Sequence, residues 1–212
     1  MDSQHQSLEA LQDIKRMMER SSRFISLSGW SGISAGICAL GGAWAAYARL
    51  HHYHDDEPAR NIITAVIAPQ SLIGSLLRIA IITFIAAFTS AFLFTYARSR
   101  RNKTPIWDRT VQRLAWNTIL PMTVGAFFIY RAMEYGYFEL VAPGCLLFYG
   151  LALVNASKYT LGEIRYLGYG QLILGVINLW SAKNGLYFWA AGFGVLHIVY
   201  GALMWWKYER AS

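Results

Sequence analysis

The chain has 212 residues, 55% of them hydrophobic and only 15% charged, against roughly a quarter charged in a soluble domain. This excludes an ordinary water-soluble or disordered protein and points to an all-α, polytopic membrane domain. The net charge of +7 would suggest nucleic acid in a soluble protein. Here the cations cluster between apolar runs, where orientation in a bilayer accounts for them and no direct nucleic-acid contact is expected.

Residues 1–23 read as an amphipathic helix lying on the cytoplasmic face of the bilayer, with Leu8, Leu11 and Met18 on one side and Glu9, Asp13, Arg16 and Arg20 elsewhere. The first apolar run starts near Phe24 and is too long for a signal-peptide core. The rest, 24–212, reads as six transmembrane helices at about 24–47, 70–97, 111–133, 138–158, 161–181 and 186–207. At about 1.5 Å of rise per residue, runs of this length match a hydrocarbon core of about 30 Å.

The first span places Ser28, Gly32 and Gly36 at four-residue spacing, a seam along which another helix approaches closely. Cys38 in this span and Cys145 in the fourth sit in apolar surroundings and read as small packing residues. Residues 48–68 form the longest polar connection. Its His51, His52, His54 and Asp55 carry the atoms to bind zinc, nickel or copper, but such close spacing does not by itself give convergence, and an ordinary hydrated outer loop is the favoured account. Pro69 precedes the second span, in which Arg78 reads as a cation snorkelling to the outer surface. The loop after it contains Arg98, Arg100, Arg101 and Lys103, then Thr104-Pro105 as cap and first residue of the third span. Pro121 interrupts that span and frees the carbonyl of Asn117, so a kink is expected there.

The fourth and fifth spans meet at a polar corner, Asn155-Ala-Ser-Lys158-Tyr-Thr160-Leu-Gly-Glu163-Ile-Arg165. Thr160-x-x-Glu163 has the form of a capping box, which would start a helix at Leu161 and leave a connection of only two or three residues. With six spans and an internal N-terminus, fourteen of the 19 Lys and Arg residues fall on the cytoplasmic side, which places both termini there.

No catalytic array of Ser/His/Asp, Cys/His or His-Glu-x-x-His type is present, no cofactor is expected, and Gly168-x-Gly170 and Gly192-x-Gly194 suit helix packing better than phosphate binding. Counting from the helix ends brings Gln171 and His197 to the bilayer midplane, with Tyr149, Thr123 and the Pro121 kink at similar depth and Asn117 beside that kink. Such intramembrane polar residues form either a proton- or substrate-linked site or interhelical glue. At the cytoplasmic face, Lys158, Glu163, Arg165, Arg100 and Arg101 are candidates for contact with a protein partner or with anionic lipid headgroups.

The runs 17–29, 148–168 and 188–201 resemble a family of small bacterial six-helix integral membrane proteins of unknown function. The resemblance implies a multi-pass protein of the bacterial inner (cytoplasmic) membrane. It brings no activity, ligand or catalytic residue. Members of this kind look often to be encoded beside a winged-helix regulator, which favours a sensory or regulatory role. The first expectation is therefore a non-enzymatic sensory, regulatory or scaffold protein. The second is a small transporter or channel, as a homo-oligomer, with a site near Gln171 and His197.

Overall fold

The computed structural model describes residues 28–55, 70–101 and 108–210. The amphipathic segment 1–23, the connection 56–69 and the Thr104-Pro105 start signal lie outside the described residues. Among these residues there are six helices and no strand. They are α1 (Gly29–Asp55), α2 (Gln70–Arg101), α3 (Arg109–Glu134), α4 (Val141–Ala156), α5 (Ile164–Trp180) and α6 (Gly185–Tyr208). A 3-10 turn, Phe138–Leu140, leads into α4.

Three of the six helical segments, Leu72–Arg101, Phe138–Ala156 and Gly185–Tyr208, are long and apolar enough to cross a membrane. The other three do not combine that length with that apolarity, α5 being only 17 residues long. The surface matches an apolar solvent. Ile82, Phe84, Ile85 and Phe88 of α2 and Trp44 of α1 are all exposed, and α2 carries a ladder of rings from Phe84 through Phe88 and Phe92 to Tyr96. Water would not tolerate so extensive an apolar face on a monomer.

The helices form a layer in which chain order and spatial order differ. α1 lies between α2 and α6, α6 meets α4 and α5, α4 and α5 pack along each other, and α3 covers α4. Glycines set the tightest approaches. A Cβ added at Gly32 would stand 3.1 Å from the Gly201 Cα, and one at Gly36 would stand 2.7 Å from the Gly194 carbonyl oxygen. The four-residue spacing of Gly32 and Gly36 is thus the face that α1 turns to α6. The α4–α5 pair repeats the device, with Gly150 and Gly168 set against each other's carbonyl oxygens at 3.0 and 2.9 Å from the added Cβ. Gly136, at φ 79°, makes the turn between α3 and α4 in a conformation other residues resist.

Several boundaries differ from expectation. α1 does not stop at residue 47 but continues to Asp55, because 48–55 hold no glycine or proline to end it. His51 and His52 are therefore exposed residues of its last turns. α3 starts at Arg109, with the Asp108 carboxylate as its cap, 2.6 Å from the Arg109 N–H. The fourth span's helix ends at Ala156, so Lys158 lies beyond it. The capping box does not form. α5 begins at Ile164, three residues later than Thr160-x-x-Glu163 implies, and 157–163 make a longer turn. The reason is a stronger partner for the carboxylate: Glu163 accepts from Lys207 Nζ at 2.5 Å and from the Tyr208 hydroxyl at 2.7 Å. A charged donor outcompetes a neutral backbone N–H.

Candidate functional site

Two polar constellations stand out, one inside the layer and one at the end where the cations gather. The inner one is built on a backbone irregularity. In the middle of α6, Ala190–Leu196 is π-helical, a widened turn. Two of its residues, Gly192 and Gly194, are buried glycines, one facing Gln171 of α5 and the other Leu40 of α1. The Gly192 carbonyl takes two side-chain donors: Gln171 Nε2 at 2.9 Å and His197 Nδ1 at 3.0 Å. A carbonyl only accepts, so Nδ1 carries the hydrogen. In the neutral ring Nε2 is then the acceptor, and it receives the Tyr149 hydroxyl of α4 at 2.9 Å.

The expected meeting of Gln171 and His197 therefore occurs, but through the Gly192 oxygen rather than directly. Tyr149 completes it. Aromatic rings close the surroundings: Phe193 lies parallel to the imidazole with centroids 6.0 Å apart, and Tyr149 stands at 5.5 Å. Among the described residues no carboxylate bonds His197 and no acid, base and nucleophile converge. The arrangement is one imidazole, one phenol and one primary amide gathered around a single carbonyl oxygen. It binds α4, α5 and α6 together, while Gln171 Oε1 and the Tyr200 hydroxyl remain buried without a hydrogen-bond partner.

Asn117 and Pro121 belong elsewhere. α3 runs through Pro121 without interruption. The carbonyl oxygen of Asn117, which the proline leaves without its helical donor, is taken by Asn155 Nδ2 of α4 at 3.0 Å. This pairing lies at the end of α4, away from Tyr149. Asn155→Ala would strand that carbonyl and is expected to cost about 1–2 kcal/mol. In a Pro121→Ala background, where residue 121 regains its N–H, the same change should cost markedly less. Thermal unfolding of the four proteins in detergent micelles checks this, and equal costs in both backgrounds would refute the pairing.

The second constellation joins helix ends. Glu209, just past α6, accepts from the Gly29 N–H at 2.5 Å and the Ser28 hydroxyl at 3.1 Å, and it pairs with Arg98 of α2. It caps α1 from 180 residues away, a role usually filled by a local side chain. Beside it, Glu163 joins the start of α5 to Lys207 and Tyr208 at the end of α6. Burial is the largest single influence on the Glu163 carboxyl and pushes it up, but the hydrogen bonds from Lys207 and Tyr208, with the lysine charge, hold it below its ordinary value of 4.5. A depressed carboxylate contributes stability above its unfolded-state value, and that contribution is lost as pH falls through the lower folded value. Wild-type protein should therefore lose thermal stability between about pH 5 and pH 3 more steeply than Glu163→Gln, and parallel profiles would show that the tie contributes nothing.

Of the expected contact residues, Glu163 is thus engaged within the molecule. Lys158, Arg165, Arg100 and Arg101 are exposed at the same end, with the Arg165 guanidinium over the Tyr166 ring and that of Arg100 near Tyr96. For the candidate metal ligands, His51 and His52 are exposed on α1, the side chains of His54 and Asp55 lie outside the described residues, and no group of three or more His, Cys, Asp or Glu converges among the described residues. Comparison with family models, curated proteins and solved structures finds no match.

Proposed function

We propose that the chain is a six-span protein of the bacterial inner membrane, with both termini in the cytoplasm, serving a non-enzymatic sensory, regulatory or scaffold role through its basic end. The observation that carries this reading is the pair of carboxylate ties at that end. Glu209 and Glu163 draw the ends of α1, α2, α5 and α6 into one platform. The platform leaves Lys158, Arg165, Arg100 and Arg101 directed outward. Cations of this kind, two of them set over aromatic rings, suit anionic headgroups and an acidic protein surface presented at the membrane.

The runner-up is a small transporter or channel, as a homo-oligomer, with its site near Gln171 and His197. It is favoured by the buried Gln171 Oε1 and Tyr200 hydroxyl, which lack partners. Purified protein in liposomes loaded with a pH-sensitive dye separates the two. The regulatory reading expects proton and solute leakage equal to that of empty liposomes. Leakage above that level, abolished by His197→Ala, would replace it with the transport reading. Orientation is tested separately by labelling Lys183→Cys and Arg100→Cys in intact cells with an impermeant maleimide, after replacing Cys38 and Cys145. Only Lys183→Cys should react from outside, and the reverse pattern would overturn the topology.

A further inference from the structure

From the placement of the π segment we infer that α6 is a register switch, coupling the polar cluster inside the layer to the ties at the basic end. A π turn spends one extra residue and persists where surrounding contacts hold it. Here the holding contacts are identifiable. In an α-helical register the Gly192 carbonyl would accept from the N–H four residues on, that of Leu196. In the π register it accepts instead from Gln171 Nε2 and His197 Nδ1. Two arrangements therefore compete for one oxygen. Ala190, Ala191, Gly192 and Gly194 offer little side-chain bulk to oppose the exchange.

Beyond the π segment α6 continues as a single α-helical rod, His197–Tyr208. Absorbing the extra residue turns that rod by about 100° relative to the part before it. On it ride His197, which bonds Tyr149, Gly201, which meets Gly29, and Lys207 and Tyr208, which bond Glu163. Glu209 comes immediately after, with its hold on Arg98, Ser28 and the Gly29 N–H. One rotation releases all of these together and carries Gly201 off the seam, so that α6 parts from α1 in the turned state. The device thus links α4 and α5 in the interior to α1, α2 and α5 at the basic end, over roughly 18 Å of helix between His197 and Glu209. It differs from a proton or substrate site because it needs no ligand in the layer: whatever alters the packing of Gln171 or the seating of Glu209 shifts the same equilibrium.

Linkage makes the coupling reciprocal, so it can be tested from both ends in lipid nanodiscs. The inner arm uses Gln171→Met, which keeps the length of the side chain and removes the donor. Nitroxide labels at Lys158→Cys and Arg210→Cys, with Cys38 and Cys145 replaced by alanine, report the distance between the corner and the end of the rod. The variant should add a population displaced by about 8 Å, the chord of a 100° turn at the radius of a helix with its side chains. The outer arm uses Glu209→Ala and reads the ring nitrogens of 15N-labelled His197, which should shift or split although the substitution is remote from them. A folded Gln171→Met protein with an unchanged distance distribution overturns the switch, as do unmoved His197 resonances in Glu209→Ala. If Gln171→Met fails to fold, the outer arm decides alone. Neither arm depends on a partner or on orientation in the cell, so the switch stands or falls apart from the proposed function.

Discussion

Gly201→Leu is expected to remove most of the folded protein from the membrane fraction. At this position α1 and α6 touch backbone to backbone: even a methyl group would stand 2.5 Å from the Gly29 carbonyl oxygen and 2.6 Å from the Ile33 nitrogen. Neither neighbour is the free end of a flexible side chain, so the helices must part. Overpacking of a closed core costs up to about 3 kcal/mol, and occasionally more. Here separation also pulls Glu209 from the Gly29 N–H, which raises the cost. Gly74→Ala provides the contrast, since nothing lies within 4 Å of the added Cβ. It should leave stability unchanged or raise it by about 0.5–1 kcal/mol, as alanine does in a helix interior. Thermal unfolding in detergent micelles measures both, and a Gly201 variant as stable as the Gly74 variant would refute the seam.

Glu209→Ala is the second large effect. The carboxylate serves three partners at once, and both members of its ion pair are mostly covered, with side-chain exposures of 18% for Arg98 and 17% for Glu209. Removing it strands the Arg98 charge and leaves the first N–H of α1 without its cap. A lost cap alone costs about 1 kcal/mol, and an uncompensated, partly buried charge adds more, so a total of about 2 kcal/mol is expected. Arg98→Met in the same background should recover part of the loss, because the stranded cation goes with it. No recovery would mean that the cap, not the ion pair, carries the effect.

The apolar runs made α2 and α6 legible directly, and the spacing of Gly32 and Gly36 identified the face of α1 that meets α6. The common depth of Gln171, His197 and Tyr149 was likewise readable by counting along each helix. What escaped shares one physical origin: partners supplied by tertiary structure. Thr160-x-x-Glu163 satisfied a local pattern, but Lys207 and Tyr208 offered the Glu163 carboxylate stronger donors. The sequence located the carbonyl that Pro121 frees, yet nothing local marked Asn155 as the residue that would take it. Glu209 was invisible as a cap because it acts across nearly the whole chain. The π segment was hidden for a further reason. Its centre is a backbone oxygen, Gly192 O, and residue types alone do not announce how many donors a carbonyl will receive.

The order of packing in the layer bears on how the chain is made. α2 and α3 are consecutive in sequence but flank the layer on opposite sides, while the α1–α6 contact joins the first described helix to the last. During synthesis α1 and α2 can pair early, and α3, α4 and α5 can assemble afterwards as a second unit, each from neighbours in the chain. The glycine face of α1 must wait until α6 emerges. Among the described helices α6 is therefore the last to join, and its arrival couples the α1–α2 pair to the unit of α3, α4 and α5. Quality control acting on this protein would find its signal in whether α6 has found the glycine face of α1.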